Sequence, residues 1–447
     1  MRKLVLIVVD GLPASLLEAG LDARRLPALG FLADHGRYGT AVSVFPSLTP
    51  VCISSLATGA QPDLHRIPHL VWYHRGERRL VEYGSSFGAM RAVGTRRAIL
   101  DAIFEMNRSH LAGEAVTVFE ALDGAGLTTA AVNFTCYRGL TPYRTTVPGV
   151  RRTVLGPKRF FYFNLFESDP TGAPLAVRKR ARGTVDAYAA AVGRWLVTRD
   201  GFDFLVYYLS DFDFSSHATG PGAALPALEQ TDRAVAALLD AAGGADEFLE
   251  RYDVIVCSDH GQSPVSEPVR LEDAFAPVSR VLVTASNRAG MVYRLPGCAE
   301  DPRALAQRLD AAPWVEAALF REGDEAVAGR AGEELRFAPD GDGFRTSGDP
   351  SLLPQPDALA RAWSAVANEN SGDLLVSAAP GYEFRDLGGR HHAGGGSHGS
   401  LSSEDSTVPV LTVGVDAEIR SIVDVTPVVL SRFGVDLPGY ARLPQAA

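Results

Sequence analysis

Carboxylates follow three apolar runs of the sequence. The runs LVLIVVD, LVYYLSDFD and VIVCSD contain, at or near their ends, Asp10, Asp211, Asp213 and Asp259. If these runs are parallel strands of an α/β sheet, their carboxyl ends lie at one edge, where such sheets bind ligands. Carboxylates crowded at that edge repel one another unless cations lie among them. The pattern therefore predicts a metal site, although a single Asp at a strand end is more often a turn or cap residue.

Histidines follow these carboxylates at spacings that suit a metal site. His217 comes four residues after Asp213, His260 is adjacent to Asp259, and His398 lies in the glycine-rich segment GGRHHAGGGSHGS. Imidazole and carboxylate together suit zinc, with manganese or iron as alternatives, whereas magnesium prefers oxygen ligands alone. One such histidine would more often be solvated, but the repeated pattern predicts metal binding.

A hydroxyl residue followed by proline opens the segment TPVCISSLATG, residues 49–59. Thr49 as the N-cap and Pro50 in the first helical position predict a helix that extends through Ala57. The free N–H groups and the dipole at such a helix end attract phosphate. Beside a metal ion the Thr49 hydroxyl would become a nucleophile, and without one it is a simple cap. Ser47 is the rival hydroxyl.

These residues need a rigid scaffold, and the apolar pattern of the chain predicts one. Runs that are apolar on both faces are typical of buried parallel strands, and they occupy residues 3–9, 128–134, 203–209, 253–258 and 409–415. Apolar side chains at helical spacing occupy residues 115–126, 184–197 and 224–243. Strands that alternate with helices predict an α/β fold with a doubly wound, mostly parallel sheet flanked by helices.

The texture of the sequence changes between residues 285 and 375, where turn-rich stretches such as EELRFAPDGDGFRTSGDP occur. We interpret this part as a small inserted α+β subdomain. Residues 1–284 and 376–447 then form one main α/β domain that carries the candidate chemistry. The glycine-rich segment before His398 is expected to be a loop.

Composition excludes several classes of protein. The 447 residues have a formal net charge of -10, which argues against a general nucleic-acid surface. The four cysteines are widely scattered, so neither a disulfide framework nor a thiolate zinc site is expected. The apolar run at the N-terminus is short and is interrupted by Asp10, which argues against a signal peptide. With no run long enough to span a bilayer, we expect a soluble cytoplasmic protein.

The motifs together resemble the alkaline phosphatase superfamily, and within it the type I phosphodiesterase/nucleotide pyrophosphatase family. They follow the family's order over nearly the whole chain: VVDGLP, LPALGFLADHG, FPSLTPVCISSLATGAQPDLHRI, DFDFSSHATGPG, VCSDHGQ, GSHGS and SIVDVTPVVLSRFGVDLP. Every metal-ligand position of the family has a matching residue in this sequence.

The resemblance implies two divalent metal ions, preferably zinc, in the main domain. One ion is expected on Asp213, His217 and His398. The other is expected on Asp10, Asp259 and His260, with the Thr49 hydroxyl as its further ligand. The implied reaction is hydrolysis of phosphodiester or pyrophosphate bonds, of nucleotides or related small molecules, through a covalent Thr49 intermediate. Asp211 receives no role.

Departures from the family pattern leave the substrate open. The family often has an aromatic residue directly after the nucleophile and, further along, an Asn that binds phosphate. Here Pro50 follows Thr49, and His69 or Leu70 stands where that Asn is expected. The residues expected near the substrate are Pro50, His69, Trp72 and Tyr73, although aromatic side chains more often serve packing. The alternatives are a phosphomonoesterase or phosphonate hydrolase, and a metal-dependent ligand-binding protein without catalysis.

Overall fold

The computed structural model describes residues 2–145, 152–162, 165–166 and 184–444. Its strands are β1 (Lys3–Val9), β2 (Arg37–Val42), β3 (Val71–His74), β4 (Arg79–Glu82), β5 (Thr129–Val132), β6 (Thr141–Arg144), β7 (Thr153–Gly156), β8 (Arg159–Phe161), β9 (Phe204–Leu209), β10 (Tyr252–Cys257), β11 (Ser263–Val269), β12 (Val281–Ser286), β13 (Ala289–Arg294), β14 (Val315–Glu322), β15 (Glu325–Arg330), β16 (Glu333–Asp340), β17 (Gly343–Ser347), β18 (Leu374–Ala378), β19 (Gly381–Phe384), β20 (Gly396–Ser397) and β21 (Thr407–Val413).

The α-helices of the described residues are α1 (Ala14–Asp22), α2 (Pro27–Asp34), α3 (Thr49–Thr58), α4 (Pro62–His65), α5 (Phe87–Val93), α6 (Thr95–Leu100), α7 (Val118–Gly124), α8 (Val185–Thr198), α9 (Asp211–Thr219), α10 (Leu225–Ala241), α11 (Ala245–Arg251), α12 (Pro302–Gln307), α13 (Ala358–Ala367), α14 (Ser403–Ser406) and α15 (Val425–Arg432). A π-helix follows α6 directly and spans Asp101–His110. Among the described residues, no helix is both long enough and apolar enough to cross a membrane.

The central sheet has the strand order β2-β21-β10-β1-β9-β5-β8. The five strands from β10 to β8 run parallel, and α-helices connect or flank them, which confirms the predicted fold class. Val8 pairs with Cys257 and Val9 with Leu209, so β1, β9 and β10 end at the same edge. The carboxylates that follow these three strands therefore lie side by side.

One strand of this sheet runs against the prediction. Residues 409–415 were expected to form a parallel strand, but β21 pairs antiparallel with β10. The chain enters β21 from the segment 396–406, which already lies at the carboxyl edge, where the Gly261 N–H donates to the Asp405 carbonyl. A parallel strand would need a crossover connection from the opposite edge. A run buried on both faces has the same apolar pattern in either direction, so the sequence does not reveal this orientation.

Two apolar layers cover the central sheet. On β1, Leu4, Leu6 and Val8 pack into the layer that contains α3 and α15. The alternate residues of β1 pack into the opposite layer, with α8 and α10. This alternation follows from the two-residue period of a strand, and it explains why β1 is apolar throughout. Burial on both faces makes the sheet a rigid support for the residues at its edge.

A second sheet is antiparallel throughout and has the order β12-β13-β18-β14-β15-β16-β17. Its strands lie between Val281 and Ala378, so the expected insert boundaries at 285 and 375 fall inside its strands β12 and β18. The turn between β12 and β13 reaches the main domain, because the Arg288 N–H donates to the His398 carbonyl at 2.8 Å. The four cysteines are free thiols in the structure.

Candidate active site

The turn after β1 places the first carboxylate. Asp10 is 6% exposed, and Gly11, with φ +70°, directly follows it. A Cβ on Gly11 would lie 2.6 Å from the Asp213 Oδ1 atom, so only glycine allows the two strand ends to approach this closely. The Gly11 N–H also donates to Asp259 Oδ1 at 3.2 Å. The DG pair of the sequence is thus the point where three strand ends meet.

Asp259 and His260 follow β10 and are fully buried. The His260 Nε2 atom lies 3.5 Å from Asp10 Oδ1 and 3.6 Å from Asp259 Oδ2. One ligand atom from each of Asp10, Asp259 and His260 lies within 4.8 Å of the others, a spacing that could hold a metal ion. The structure therefore brings together the three residues expected for one metal.

Asp213 and His217 occupy the first and last turns of α9, and His398 follows β20. The Nε2 atom of His217 lies 3.3 Å from Asp213 Oδ2, and that of His398 lies 3.9 Å from Asp213 Oδ1. The residues whose ligand atoms lie within 4.8 Å of one another here are Asp213, His398 and His260 rather than His217. The His260 and His398 rings stack at 3.6 Å, so the two groups of ligands adjoin.

The three histidines share one orientation. Each Nδ1 atom lies at hydrogen-bond distance from a backbone carbonyl: 2.8 Å from Gly396 for His217, 3.0 Å from Gly261 for His260, and 2.8 Å from Ser47 for His398. A carbonyl can only accept, so each Nδ1 carries the proton and each Nε2 presents a lone pair to the site. Metal-binding histidines are held in this way in proteins.

The electrostatics of the carboxylates also suit a cation. Among the described residues, Asp10 Oδ1 and Asp259 Oδ2 are buried without a hydrogen-bond partner. Burial raises the pKa of Asp10 well above its ordinary value, and Asp259 and Asp213 raise it further. Burial likewise raises the pKa of Asp259. Two buried carboxylate oxygens without hydrogen-bond donors lie beside three imidazole lone pairs. Together they form a set of ligand atoms that fits a zinc-like ion.

Asp213 differs from the other two carboxylates in the direction of its pKa shift. Although burial opposes its ionisation, His217 holds the pKa of Asp213 below its ordinary value. The same pair raises the pKa of His217 against the effect of burial. Burial and the neighbouring His260 lower the pKa of His398 well below its ordinary value. His217 thus favours the ionised form of Asp213.

Thr49 begins α3 opposite these groups, and Leu48, not Thr49, is the N-cap. The Thr49 Oγ1 atom lies 3.0 Å from His260 Nε2, so the hydroxyl points at the carboxylate and histidine cluster. Thr49 is half-buried and remains accessible from the cavity. The rival Ser47 hydroxyl is buried and donates to the Ser400 carbonyl at 2.9 Å.

A cavity of about 440 Å³ opens above Thr49 and the cluster, and its wall includes Pro50, Leu70, Ser85, Phe87 and Phe214. Of the four residues expected near the substrate, only Pro50 lines it.

His69 is fully buried, with Nε2 3.2 Å from the Ala289 carbonyl and Nδ1 accepting from the Val71 N–H at 3.1 Å. Trp72 is also fully buried, in the core beside the second sheet, and Tyr73 packs edge-on against Tyr293 at 5.7 Å. His69, Trp72 and Tyr73 thus pack against the protein and do not line the cavity.

Four residues at this site were not predicted from the sequence. Gln262 donates to Asp213 Oδ1, and Asn287 Nδ2 lies 3.0 Å from His398 Nε2. His392 stacks on His217 at 4.1 Å, and its Nδ1 lies 2.6 Å from Glu383 Oε1. The SDHGQ motif contains Gln262 next to two expected ligands and could have indicated it. Asn287 and the two residues of the His392 pair have no comparable local signal.

Asp211 also has a clear position in the structure. Its carboxylate accepts from the Val185 and Asp186 N–H groups at 3.2 and 2.9 Å, and so caps the start of α8. Asp186 in turn accepts from the Ser210 N–H at 2.9 Å, at the start of α9. Asp211 thus joins two helices and holds α9 in place for Asp213.

The chain matches a known protein family over most of its length. The sequence profile of the type I phosphodiesterase/nucleotide pyrophosphatase family matches residues 4–401. The chain belongs to this family. The predicted family is thus confirmed, and with it a metal-dependent hydrolase of phosphoester bonds. No curated protein matches the chain in sequence.

Solved structures of low sequence identity share the fold. Murine ectonucleotide pyrophosphatase/phosphodiesterase 5 is 13% identical, with a TM-score of 0.65 over 100% of this chain and 97% of that chain. An inactive variant of that enzyme has been solved in complex with AMP. Phosphonoacetate hydrolase from Sinorhizobium meliloti 1021, solved with phosphonoacetate, is 19% identical, with a TM-score of 0.64 over 95% of this chain and 94% of that chain.

Proposed function

We propose that this member of the family is a two-metal hydrolase of phosphodiester or pyrophosphate bonds in nucleotides or related small molecules. The observation that supports it is the pair of adjoining Asp/His groups beneath the Thr49 hydroxyl. A covalent Thr49 intermediate is part of the proposal. The main α/β domain, residues 1–284 and 376–447, carries this chemistry in our proposal, and the insert 285–375 borders it.

Zinc is the proposed metal. One ion would be held by Asp213, His217 and His398, and the other by Asp10, Asp259, His260 and the Thr49 hydroxyl. We keep His217 in the first set because its Nε2 lies 3.3 Å from Asp213, although His260 lies nearer to His398. Two bound metal ions would lower the pKa of the nucleophile and neutralise charge on the phosphoryl oxygens.

The proposed reaction has two steps that balance. Thr49 Oγ1, after losing its proton to solvent, attacks phosphorus; the Oγ1–P bond forms as the bond to the leaving oxygen breaks. The leaving oxygen takes a proton from solvent. Water then attacks the phosphorus of the Thr49 ester, the P–Oγ1 bond breaks, and Thr49 regains a proton. Since α3 fixes Thr49 at its first turn, the chain contributes mainly positioning, as in other phosphoryl transfers.

The substrate we propose is a small phosphate-containing molecule. A cavity of about 440 Å³ suits a ligand of nucleotide size or smaller. A phosphonate hydrolase is the alternative, since phosphonoacetate hydrolase shares the fold. That alternative uses the same proposed metals and nucleophile, with a different leaving group.

The test compares zinc-loaded protein on bis-p-nitrophenyl phosphate, p-nitrophenyl phosphate and phosphonoacetate. Thr49→Ala should lower kcat on the accepted substrate on the order of 10⁴-fold or more, because the nucleophile is lost. Thr49→Ser keeps a hydroxyl and should retain part of the activity. Ser47→Ala is the matched control, because its hydroxyl bonds to a carbonyl away from the cavity.

Preference for the diester supports the proposal, and preference for the monoester or the phosphonate supports the corresponding alternative. Full activity of Thr49→Ala would refute the covalent intermediate. Zinc binding without cleavage of any of the three substrates would favour a ligand-binding protein without catalysis.

A further inference from the structure

The second sheet places one side chain in the active-site cavity. Asn287 lies at the turn between β12 and β13, is 7% exposed, and lines the cavity beside His398. Its φ of +57° is left-handed, a conformation that Asn tolerates better than most residues. The turn is fixed by two backbone hydrogen bonds, from the Arg288 N–H to His398 and from the Phe384 N–H to Asn287.

The amide of Asn287 has a defined orientation. The Ser286 hydroxyl donates to its Oδ1 atom at 3.0 Å, which leaves Nδ2 facing His398 Nε2 at 3.0 Å. The His398 Nδ1 proton is committed to the Ser47 carbonyl, so Nε2 is the acceptor in this contact. The Asn287 N–H therefore occupies the lone pair that we assign to a metal ion.

This arrangement changes when that lone pair is used by a metal. The Asn287 amide then needs another acceptor, because a buried N–H group without one is costly. A phosphoryl oxygen in the same cavity can supply it. A neutral amide suits this position, since it donates to the oxygen without competing with the metal ions for the site.

We propose that Asn287 is a substrate-binding residue whose amide donates to a phosphoryl oxygen during the reaction. The proposal rests on the function proposed above. It means that the insert supplies a direct contact to the phosphoryl group, while the main domain supplies the nucleophile and metal ligands. Such a donor is most useful where charge develops on the equatorial oxygens.

Two variants separate substrate binding from a structural role. Asn287→Gly removes the amide and keeps the left-handed turn unstrained, and Asn287→Asp keeps the shape but replaces the donor with an acceptor. Ala331→Gly is the matched control, because Ala331 has φ +52° in the turn between β15 and β16 of the same sheet and does not line the cavity. For each zinc-loaded variant we would measure kcat/KM, zinc content, and the Kd of inorganic phosphate by calorimetry.

We expect both Asn287 variants to lower kcat/KM roughly 10²- to 10³-fold, as loss of one transition-state donor does elsewhere. Phosphate affinity should fall at least about tenfold, which corresponds to the loss of a single good hydrogen bond to a charged group. Zinc content should equal that of the parent and of Ala331→Gly. If zinc is lost as in His398→Ala, Asn287 only orients His398 and the proposal is wrong.

The Kd of inorganic phosphate, measured by calorimetry, tests the Asn287 contact independently of the proposed reaction. If the parent cleaves no ester but binds phosphate through Asn287, the proposed reaction fails and the contact stands. Unchanged phosphate affinity in both variants overturns the contact, whatever the activity. Absence of phosphate binding to the zinc-loaded parent overturns it as well.

Discussion

Asp405 and the pair Asp10 and Asp259 are buried carboxylates in adjacent parts of the fold, but their oxygens have different surroundings. Asp405 pairs with the buried Arg288 at 2.7 Å, and its other oxygen accepts from the Ser400 N–H and hydroxyl at 2.9 and 2.7 Å. Asp10 and Asp259 each keep one buried oxygen without a partner among the described residues. Asp405 is thus satisfied by the protein alone.

The difference in hydrogen-bond partners distinguishes a carboxylate with a structural role from carboxylates of a binding site. A buried charge is tolerated when a counter-charge and hydrogen bonds surround it, and otherwise it raises the free energy of the fold. Asp405 has a counter-charge and hydrogen bonds, and its cluster stabilises the junction between the glycine-rich segment and the second sheet. Asp10 and Asp259 each have a buried oxygen without such partners in the part of the chain that the structure describes, as expected for a site that a cation completes.

The largest expected effect on stability is at the satisfied cluster. Asp405→Asn removes the ion-pair partner of the buried Arg288 guanidinium, so we expect the free energy of unfolding to fall by about 3–5 kcal/mol. Glu418→Gln is the matched control, because Glu418 pairs with Arg420 in solvent at 2.8 Å and its loss should leave the free energy of unfolding almost unchanged. Urea unfolding of both variants measures the difference; equal small losses would refute the comparison.

In the unsatisfied cluster of Asp10 and Asp259, replacing a carboxylate should not lower the free energy of unfolding when metal is absent. In EDTA, Asp259→Asn should be at least as stable as the parent, because it removes one of three mutually repelling carboxylates and still accepts at Oδ1. With zinc at one hundred times its Kd, the parent should gain about 2.7 kcal/mol and the variant much less. Thermal unfolding with and without zinc measures this. Destabilisation of the variant in EDTA, like that of Asp405→Asn, would assign Asp259 a structural role.

His69 is a buried histidine whose polar atoms are satisfied by the protein, unlike the Asp10 and Asp259 carboxylates. Both nitrogens of His69 have protein partners, and burial lowers its pKa to about 4. Since the folded pKa lies below the unfolded value of about 6.5, His69 stabilises the fold above pH 6.5 and loses this contribution as the pH falls toward 4.

His69→Gln should therefore lessen the loss of stability between pH 6.5 and pH 5 by about 1 kcal/mol for each pH unit. Turnover at pH 7.5 should change less than about threefold, because His69 does not line the cavity. Unfolding curves at several pH values, with turnover in parallel, measure both. A large loss of turnover, with an unchanged pH dependence of the free energy of unfolding, would show that His69 acts in the active site.

The smallest effect is expected at Asp211, a carboxylate beside the site whose oxygens both accept from the start of α8. Asp211→Ala should lower the free energy of unfolding by about 1 kcal/mol, as removal of a helix cap does. Zinc content should equal that of the parent. A loss of zinc would show that Asp211 belongs with the unsatisfied carboxylates.

Much of the site was predictable because its residues follow local patterns. Strand β1 was predicted with its observed limits, and Asp10 and Asp259 follow apolar runs whose type and length indicate buried strands. The structure brings Asp10, Asp213, Asp259, His260 and His398 close together, and the His217 Nε2 atom lies 3.3 Å from Asp213 Oδ2. The orientation of β21 and the burial of His69 were not predictable, since neither changes the apolar period of the chain.

The sequence by itself determined the fold class, the family, and the carboxylates and imidazoles that meet at the carboxyl edge of the sheet. Residue type and two-residue period are local properties, and parallel strands place their ends together without further information. Only the tertiary structure decided which buried polar groups are satisfied and which are not. Asn287 and His398 meet across 111 positions of the chain, and their contact depends on how the second sheet packs against the first. Hydrogen-bond partners are fixed by neighbours in space, and these become known only when the chain has folded.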